Sequence, residues 1–450
     1  MTSRIVVNNI EADAGISSVT FTSDIELGTK NLKGHNLEST GIVTAVSFTG
    51  SGANLTNLPA ANITGTLPAI DGSNLTGVGA SFGNSSVNTS GIITATAFVP
   101  TTGQLTNRNI IINGAMNLAQ RGTSSGTSDY ATVDRFGWDA FAMGAAATQS
   151  QSDVASGTTP YSLGFRKAFR LTLGNNGSPA ASTRVGFFHK IEAQDIANSG
   201  WNYTSSSSYI TFSYWVKSSV AQNFYNTFKN DDGSSQRYVT ETGSLTADTW
   251  TKITKTIPGN SNLTFNNDNG EGLEITWELF RGTNQTGTRP LNAWAASDNN
   301  TRTPDQASTW YSTNGATFEI TGVQLEVGPV ATSFEHLSHG DELRRCQRYY
   351  YQFEIFPNQV VNFLSAYGST YGKVQYSFPV TMRANPTGGL LDIGGVQEYL
   401  NGTWNNRTLS IAGTRKDFVQ IFNQRSDSGF GGQYVRASSG TPICTLNAEL

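Results

Sequence analysis

The chain has 450 residues, of which 14% are charged and 47 are glycine, and its formal net charge is -4. Gly, Ser, Thr and Asn favour turns and strands over helices, so a composition rich in them argues against a helical protein. A nucleic-acid-binding protein needs a basic surface that neutralises phosphates, and 29 basic against 33 acidic residues provide none.

The chain contains no run of about 18 apolar residues, so we expect no membrane span. Residues 1–9 lack the apolar core of a secretory signal, and we expect no cleaved signal. The two cysteines, Cys346 and Cys444, are too few for a disulfide scaffold. Two buried or idle thiols are favoured over a bridge between the ends of the last segment.

Residues 1–105 are predicted to form an extended shaft. Within them GIVTAVSF at 41–48 recurs as GIITATAF at 91–98. Short repeats of this kind cannot bury an apolar face alone and need stacked or partner copies. A closed homotrimer would place the apolar pairs on a common axis and cover the strand edges. A disordered polar leader is the alternative.

Residues 106–337 show the alternation of half-buried strands. Apolar side chains occupy every second position over 210–216 and again over 273–279. In 318–327 the apolar residues change from even to odd positions. A bulge at Thr321–Gly322 would bring the apolar residues before and after it onto one face of the strand. Such strands, separated by Gly, Asn and Asp turns, predict an antiparallel sandwich or jelly roll.

Residues 338–450 begin with a helix signal. Ser338 and Asp341 form a capping-box pattern, which predicts a short helix that ends near Arg348. Alternation returns at Val374–Phe378, so the remainder is predicted to be a second, smaller β domain. The expected fold class is therefore all-β, with a shaft, a jelly roll and a C-terminal β domain.

Several segments resemble bacteriophage tail fibres, in particular those of marine phages and cyanophages. The resemblance is carried by Arg4–Ala12, Ile63–Gly77, Asn107–Gly122 with Val133–Trp138, Gly322–Glu335, Leu343–Tyr350 and the ending Ala448–Leu450. The segment Gly322–Glu335 is similar to the closing strands of carbohydrate-binding modules.

This resemblance implies a homotrimeric virion fibre that touches a glycan of the host surface. It also implies attachment of the N-terminal segment to the tail or to another virion protein, and assembly in the host cytoplasm. It implies no cofactor.

Glu274 and Glu278 are the strongest carboxylate pair for glycoside hydrolysis, which needs two carboxyls about 5–9.5 Å apart. They share one strand face, but four residues separate their backbones by ~13 Å. We interpret them as part of a solvated outer face, and no catalytic residue is predicted.

Two polar stretches have a metal-like composition. His336 and His339, with Asp341, lie in the joint between the last two segments, and an interdomain linker is the favoured interpretation. Asn266–Glu271 is rich in oxygen ligands but lacks the spacing of an EF-hand, so a turn is favoured over a calcium loop. We therefore predict no bound metal.

Flat aromatic rings beside amides and carboxylates suit sugar rings. Six aromatics lie in loop contexts and are the candidate glycan-binding residues: Trp201, Tyr203, Trp294, Trp310, Tyr311 and Trp404. By contrast, Trp215 and Trp277 belong to strand patterns and are predicted to pack.

The function predicted from these observations is non-enzymatic adhesion to a bacterial surface polysaccharide by a phage tail fibre. Three weak sites on one trimer would raise avidity. The alternatives are a structural appendage of the phage head or collar and a polysaccharide-degrading spike.

Overall fold

The structure is a computed structural model of the whole chain. It describes residues 106–355, 361–362, 365–366, 371–391, 396–400, 403–424, 434–437 and 442–450, and the single positions 40, 42 and 44. Contacts divide the chain into two compact units, Met1–Thr94 and Ala95–Leu450, and every element below belongs to the second. The predicted shaft and its repeat lie outside the described residues.

The part of the second unit up to Val327 is a sandwich of two antiparallel sheets. Its strands in chain order are β1 (Ser124–Ser125), β2 (Gly137–Phe141), β3 (Ala147–Asp153), β4 (Lys167–Leu173), β5 (Arg184–Glu192), β6 (Tyr209–Ser218), β7 (Asn223–Asn230), β8 (Gln236–Ser244), β9 (Thr251–Pro258), β10 (Glu271–Arg281), β11 (Trp294–Ala296) and β12 (Thr317–Val327). Sheet A has the order β1-β3-β4-β12-β6-β9, and sheet B has the order β11-β8-β7-β10-β5-β2. The prediction of a mainly β, antiparallel sandwich of the jelly-roll kind is confirmed.

An aromatic core fills the space between the two sheets, because one side of each strand is apolar. Phe169 of sheet A lies 4.4 Å from Phe187 of sheet B, measured between ring centres. Phe212 likewise lies 5.1 Å from Phe228 and 5.7 Å from Trp277. The alternation in 210–216 and 273–279 therefore predicted the inner faces correctly.

The predicted bulge in β12 is confirmed. The pairing of β12 with β6 shifts its register between Thr321 and Gln324, and Gly322 adopts a φ of 61° that favours glycine. As a result Ile320 and Val323 both point into the core, where neither is exposed.

The described residues form four short helices: α1 (Thr159–Ser162), α2 (Ala193–Ala197), α3 (Thr309–Ser312) and α4 (His339–Gln347). The predicted cap of α4 is present, since the Ser338 side chain accepts a hydrogen bond from the Asp341 amide at 3.2 Å. No helix in the described part of the chain is long and apolar enough to cross a membrane.

Beyond α4, two further antiparallel sheets surround a smaller core. Their strands are β13 (Tyr350–Glu354), β14 (Val361–Asn362), β15 (Ser365–Ala366), β16 (Tyr371–Ser377), β17 (Thr387–Leu391), β18 (Val396–Leu400), β19 (Thr403–Thr414), β20 (Phe418–Gln424), β21 (Tyr434–Ala437) and β22 (Ile443–Asn447). The order is β13-β22-β17 in one sheet and β14-β21-β18-β19-β20-β16-β15 in the other. Both cysteines are free and buried, so the alternative of a bridge between them is wrong.

Charged side chains join the end of α4 to the sandwich. Glu192, at the end of β5, accepts two hydrogen bonds from Arg348 at 2.7 Å and one from the Tyr349 hydroxyl at 2.6 Å. Arg135 stacks on the Tyr349 ring at 3.5 Å and pairs with Glu449. Because these groups are largely buried, they hold the C-terminal sheets in a defined position against the sandwich.

Candidate functional site

A cleft of about 410 Å³ opens on the outer face of sheet B. Strands β2, β5 and β10 form its floor, and the turn at 128–129 contributes to its walls. The connection from β10 to α3, residues 282–308, also contributes; it includes the short strand β11, and we call it the 282–308 loop. It is lined by Ser128, Asp129, Trp138, Asp139, Phe188, Lys190, Glu274, Thr276, Arg281 and Arg302. We define these residues as the sheet B cleft.

The floor of the cleft follows from strand alternation. Leu273 and Ile275 of β10 face the core. The residues that alternate with them, Glu274 and Thr276, therefore face outwards. Thr276 lies opposite Phe188 of the neighbouring β5 in the sheet register. One row across the sheet therefore places an aromatic ring beside a hydroxyl group.

Gly137 of β2 leaves the space that the Phe188 ring occupies. A Cβ atom at position 137 would lie 2.3 Å from Phe188 Cζ, closer than any real contact. The glycine therefore lets the Phe188 ring lie over the backbone of β2. The Phe188 ring also meets Tyr130 edge-to-face, with ring centres 5.0 Å apart.

Glu278 is the charged centre beneath the cleft, and its interpretation as part of a solvated face is wrong. Its side chain is 0% exposed and pairs with Arg281, whose Nε–H donates to its carboxylate. Thr227 donates to the same carboxylate at 3.3 Å, and Arg302 Nε lies 3.4 Å from it. The loop at 282–308 brings Arg302 to this face, which no strand pattern could have indicated.

The electrostatics keep Glu278 ionised. Burial opposes its ionisation, but the guanidinium of Arg281 and then that of Arg302 outweigh burial and lower the pKa of Glu278 to about 2. A carboxyl with this pKa does not donate a proton near neutral pH, and its lone pairs are occupied by guanidinium and hydroxyl donors.

Backbone and side-chain contacts hold the 282–308 loop in place. Arg289 donates to the carbonyls of Ala296 at 2.9 Å and of Arg237 at 3.1 Å. Gln306 accepts from the Arg281 amide at 2.8 Å. The wall of the cleft that carries Arg302 is thus tied to sheet B at several points.

Two further ion pairs flank the cleft. Lys190 Nζ lies 2.7 Å from Glu271, and Arg184 Nε lies 2.7 Å from Asp139. Each pair is partly exposed, so both signs of charge are accessible within one groove.

Three of the six predicted aromatics lie in the core of the sandwich. Trp310 and Tyr311 are 0% and 1% exposed, and the Trp310 Nε1–H donates to the Thr317 carbonyl at 3.0 Å. Trp201 is 3% exposed, and its Nε1–H donates to the Ser208 carbonyl at 3.3 Å. In this arrangement their ring faces are covered by protein.

The other three predicted aromatics are half-buried. Tyr203 and Trp294 both contact the end of β9 or the residues just after it. The Trp294 Nε1–H donates to the Pro258 carbonyl at 2.7 Å, and the Asn260 amide donates to the Tyr203 carbonyl at 2.7 Å. Trp404 lies apart in the C-terminal sheets, 5.1 Å from the partly exposed Tyr399 ring. None of the six lines the sheet B cleft.

The residues with metal-like composition have other partners. His336 packs between Phe165 and Phe334, and its Nε2 lies 3.0 Å from the Leu163 carbonyl. In the loop 266–271, Asp268 accepts from the Gly270 amide at 2.9 Å, as in a turn. Among the described residues, no three His, Cys, Asp or Glu side chains are grouped so that they could hold a metal ion.

Sequence reasoning missed Phe188, Lys190, Arg281 and Arg302 as site residues. Only Gly137, in the motif Val133–Trp138, carried a local signal, because a glycine inside a strand marks a close approach. The others become neighbours only when β2, β5, β10 and the 282–308 loop meet.

Compared with models of protein families and with curated proteins, the chain gives no match. Among solved structures, it is similar to the enzymatically active domain of tailspike protein 4 of bacteriophage CBA120, with 10% identity and a TM-score of 0.28, covering 49% of this chain and 21% of that chain. This chain thus spans about a fifth of the length of that tailspike domain.

Two carbohydrate-binding proteins are also similar. The N-terminal cellulose-binding domain of Cellulomonas fimi β-1,4-glucanase C has 9% identity and a TM-score of 0.24, over 48% of this chain and 99% of that chain. The tandem CBM22 domains of Paenibacillus barcinonensis Xyn10C have 8% identity and a TM-score of 0.25, over 79% of this chain and 100% of theirs. Similarity at this level carries no functional weight, so the proposals below rest on the residues of this chain.

Proposed function

We propose that this chain is a phage tail-fibre protein that binds a polysaccharide of the host bacterial surface without cleaving it, and that the sheet B cleft is the glycan site. The observation that carries the proposal is the composition of the cleft. An aromatic ring, a hydroxyl, carboxylates and cationic donors converge on one open groove.

These groups match the chemistry of a sugar ring. A pyranose offers an apolar C–H face and a rim of hydroxyls, so it needs a flat ring with donors and acceptors around it. Phe188 supplies the ring, Glu274 supplies acceptors, and Lys190 supplies donors. An open groove on the face of a sheet suits a polymer, because the chain can enter and leave the site along that face.

The state of Glu278 supports binding over hydrolysis. A glycosidase needs one carboxyl as general acid and a second as base or nucleophile. Glu278 is held as an anion by Arg281 and lies under the face of the sheet, so the pair Glu274 and Glu278 lacks the general acid that hydrolysis needs.

The fibre assignment rests on the sequence resemblance. We propose the three-part organisation of residues 1–105, 106–337 and 338–450, with the first part attached to the tail or to another virion protein. A homotrimer would present three copies of the cleft, and multivalency would raise avidity without any new contact. A structural appendage of the head or collar is the alternative.

Half-buried aromatics outside the cleft would add secondary contacts. Tyr203 and Trp294 share one end of the sandwich, and Trp404 with Tyr399 marks the C-terminal sheets. The core positions Trp201, Trp310 and Tyr311 would support the fold.

The test compares matched aromatic substitutions on the two outer faces of the sandwich. Phe188→Ala removes the proposed sugar platform, and Trp215→Ala removes a half-buried ring from the outer face of sheet A. With a panel of extracted bacterial surface polysaccharides, we expect Phe188→Ala to weaken retention by about 5- to 150-fold, because a ring stacked on an aromatic side chain contributes ~1–3 kcal/mol when the ring is a nucleobase, and a sugar face makes a similar contact. Trp215→Ala should bind as the parent protein does.

The polymer length is followed in the same samples. A shortened polymer would mean an enzyme, and unchanged binding by Phe188→Ala would show that the cleft is not the site. Failure to retain any polysaccharide of the panel would contradict glycan binding and would favour a structural appendage of the phage head or collar.

A further inference from the structure

We propose that the sheet B cleft selects glycans that carry an acidic substituent, a carboxylate, sulfate or phosphate ester, and that Arg302 is the group that recognises it. The proposal deepens the proposed function and rests on it. Three observations support it: the balance of charge under the cleft, guanidinium groups that lack acceptors, and the position of Arg302 in the cleft wall.

The cleft lining carries three cationic and three anionic side chains, but around Arg302 guanidinium groups outnumber carboxylates. Arg281 is matched by Glu278, with which it forms a buried pair. Arg302 lies 3.4 Å from that same carboxylate and 3.8 Å from Glu274. Arg237, on β8, adds a third guanidinium, so three cations share two carboxylates.

The Arg237 side chain is buried without its full set of acceptors. It is 1% exposed, and its Nε and one terminal nitrogen have no hydrogen-bond partner among the described residues. Nε of Arg302 also lacks a hydrogen bond there. A buried donor without a hydrogen bond is destabilising, more so when it is charged, and an anion placed nearby would offset part of that cost electrostatically.

The surroundings of Arg237 are short of negative charge. Burial, and then the proximity of Arg302, lower the pKa of Arg237 to about 10. A ligand anion beside Arg302 would therefore relieve repulsion between the two guanidiniums as well as form its own hydrogen bonds.

The geometry gives the acidic group one place in the cleft. Arg302 lines the cleft and is 17% exposed, so its planar fork can meet an oxyanion from the solvent side. On the β2 side the cleft carries Asp129 and Asp139, and Asp139 is paired with Arg184. Arg302 lies beside β10, away from these two aspartates, so an acidic sugar would bind with its anion on Arg302, where it would take over part of the pairing that Glu274 now provides.

Two pairs of polymers test the inference. Dextran sulfate is compared with dextran, and polygalacturonate with its carboxyl-reduced form, by retention of the full-length protein at several salt concentrations. We expect at least one anionic polymer to bind about tenfold or more tightly than its neutral partner. The pair that shows the preference tells a sulfate from a carboxylate.

Arg302→Gln should abolish this preference, so that the charged and neutral partners of a pair bind this variant equally. Arg302→Lys keeps the charge but loses the planar guanidinium, so it should retain part of the preference. This variant provides the test if Arg302→Gln does not fold. Arg344→Gln is the matched control, because Arg344 is 65% exposed on α4 and its loss changes the net charge equally.

The outcomes separate the two proposals. Equal binding of the charged and neutral partners would overturn the acidic preference and leave glycan binding in place. An equal loss of binding in Arg344→Gln would show a diffuse charge effect and also overturn it. Retention of none of the four polymers, nor of any surface polysaccharide in the panel above, would overturn both proposals.

Discussion

The two outer faces of the sandwich treat buried charge differently. On sheet A, Glu319 meets Arg170 at 3.1 Å, Lys217 at 2.9 Å and the Ser152 hydroxyl at 3.3 Å. Glu326 of the same strand accepts from both the amide and the hydroxyl of Thr332, at 2.8 and 2.7 Å. Each carboxylate on this face is saturated by donors of the chain itself.

The outer face of sheet A is also partly covered by apolar side chains. Phe165 and Phe334 pack edge-to-face, with ring centres 4.9 Å apart, and Trp215 packs against the same cluster. On sheet B, by contrast, a loop crosses the face and leaves a groove. Around Arg302, at one end of that groove, the three guanidiniums of Arg237, Arg281 and Arg302 share two carboxylates, those of Glu274 and Glu278.

The comparison teaches that burial of charge by itself does not mark a site. Sheet A buries its carboxylates in self-sufficient pairs, which is a structural arrangement. Both faces hold a buried guanidinium nitrogen without a hydrogen bond, Nε of Arg170 on sheet A and Nε of Arg302 on sheet B. On sheet B this donor lies beside an accessible cleft, and this combination would suit a ligand.

The largest expected effect comes from Glu278→Gln. The change leaves Arg281 and its guanidinium neighbours without their buried counter-charge, so the free energy of unfolding should fall by about 3–5 kcal/mol. Glu319→Gln on sheet A is the matched substitution. Arg170 and Lys217 are 34% and 22% exposed and can turn to water, so its loss should be about 1–2 kcal/mol. Denaturant unfolding measures both, and equal losses would contradict the difference between the faces.

A smaller loss of stability is expected when the apolar side chains on the outer face of sheet A are displaced. Gly322 has a φ of 61°, and an added Cβ would lie 2.6 Å from Phe165 Cζ. Gly322→Ala should therefore lower the free energy of unfolding by about 2–4 kcal/mol through strain and displacement of the ring.

Gly315→Ala is the control for this glycine substitution. Gly315 has a φ of 72° but open space around its Cα, so only the backbone strain of about 1 kcal/mol should remain. Glycan binding by the sheet B cleft should survive both changes, and a loss of binding in Gly322→Ala would show that the two faces are coupled.

The pH dependence of stability gives the smallest and most specific effect. The pKa of Glu278 is lowered to about 2 from 4.5, so its stabilisation is complete above pH 4.5 and is lost as the pH falls through about 2. Burial raises the pKa of Asp134 to about 6, so stability should rise as the pH falls from about 6 to about 4. The unfolding temperature of the parent protein, plotted against pH, should therefore have a maximum, with a fall on the acidic side (the acidic limb) and a fall towards neutral pH (the neutral limb).

Two variants assign the limbs of this profile. Glu278→Gln should reduce the loss of stability below about pH 4. Asp134→Asn should reduce the rise between about pH 6 and pH 4, and the rise that remains includes the contribution of Glu271, whose pKa burial raises to about 7. A profile that keeps both limbs in both variants would contradict the assignment.

Much of the sandwich could be predicted from local pattern. Alternation identified the inner faces of β6 and β10, the phase slip located the bulge at Gly322, and the capping box located α4. Each depends on residues within a few positions of one another, because side-chain direction and helix caps are local properties of the backbone.

The candidate site could not be predicted in the same way. Loop position suggested exposure for Trp310 and Tyr311, yet the chain around α3 folds inward and both rings join the core. Strand alternation suggested solvent for Glu278, yet the 282–308 loop covers it. In both cases the error has the same cause, since burial of a loop or of an outer face depends on segments distant in the chain.

The sequence by itself determined the β character of the described chain, the inner faces of its strands and the cap of its α4 helix, because alternation, glycine φ and capping act over a few residues. Only the tertiary structure decided where charge is exposed, paired or left unmatched. Gly137, Phe188, Glu278 and Arg302 are far apart along the chain, and they come together because strand pairing and one loop bring their backbones to the same face of sheet B.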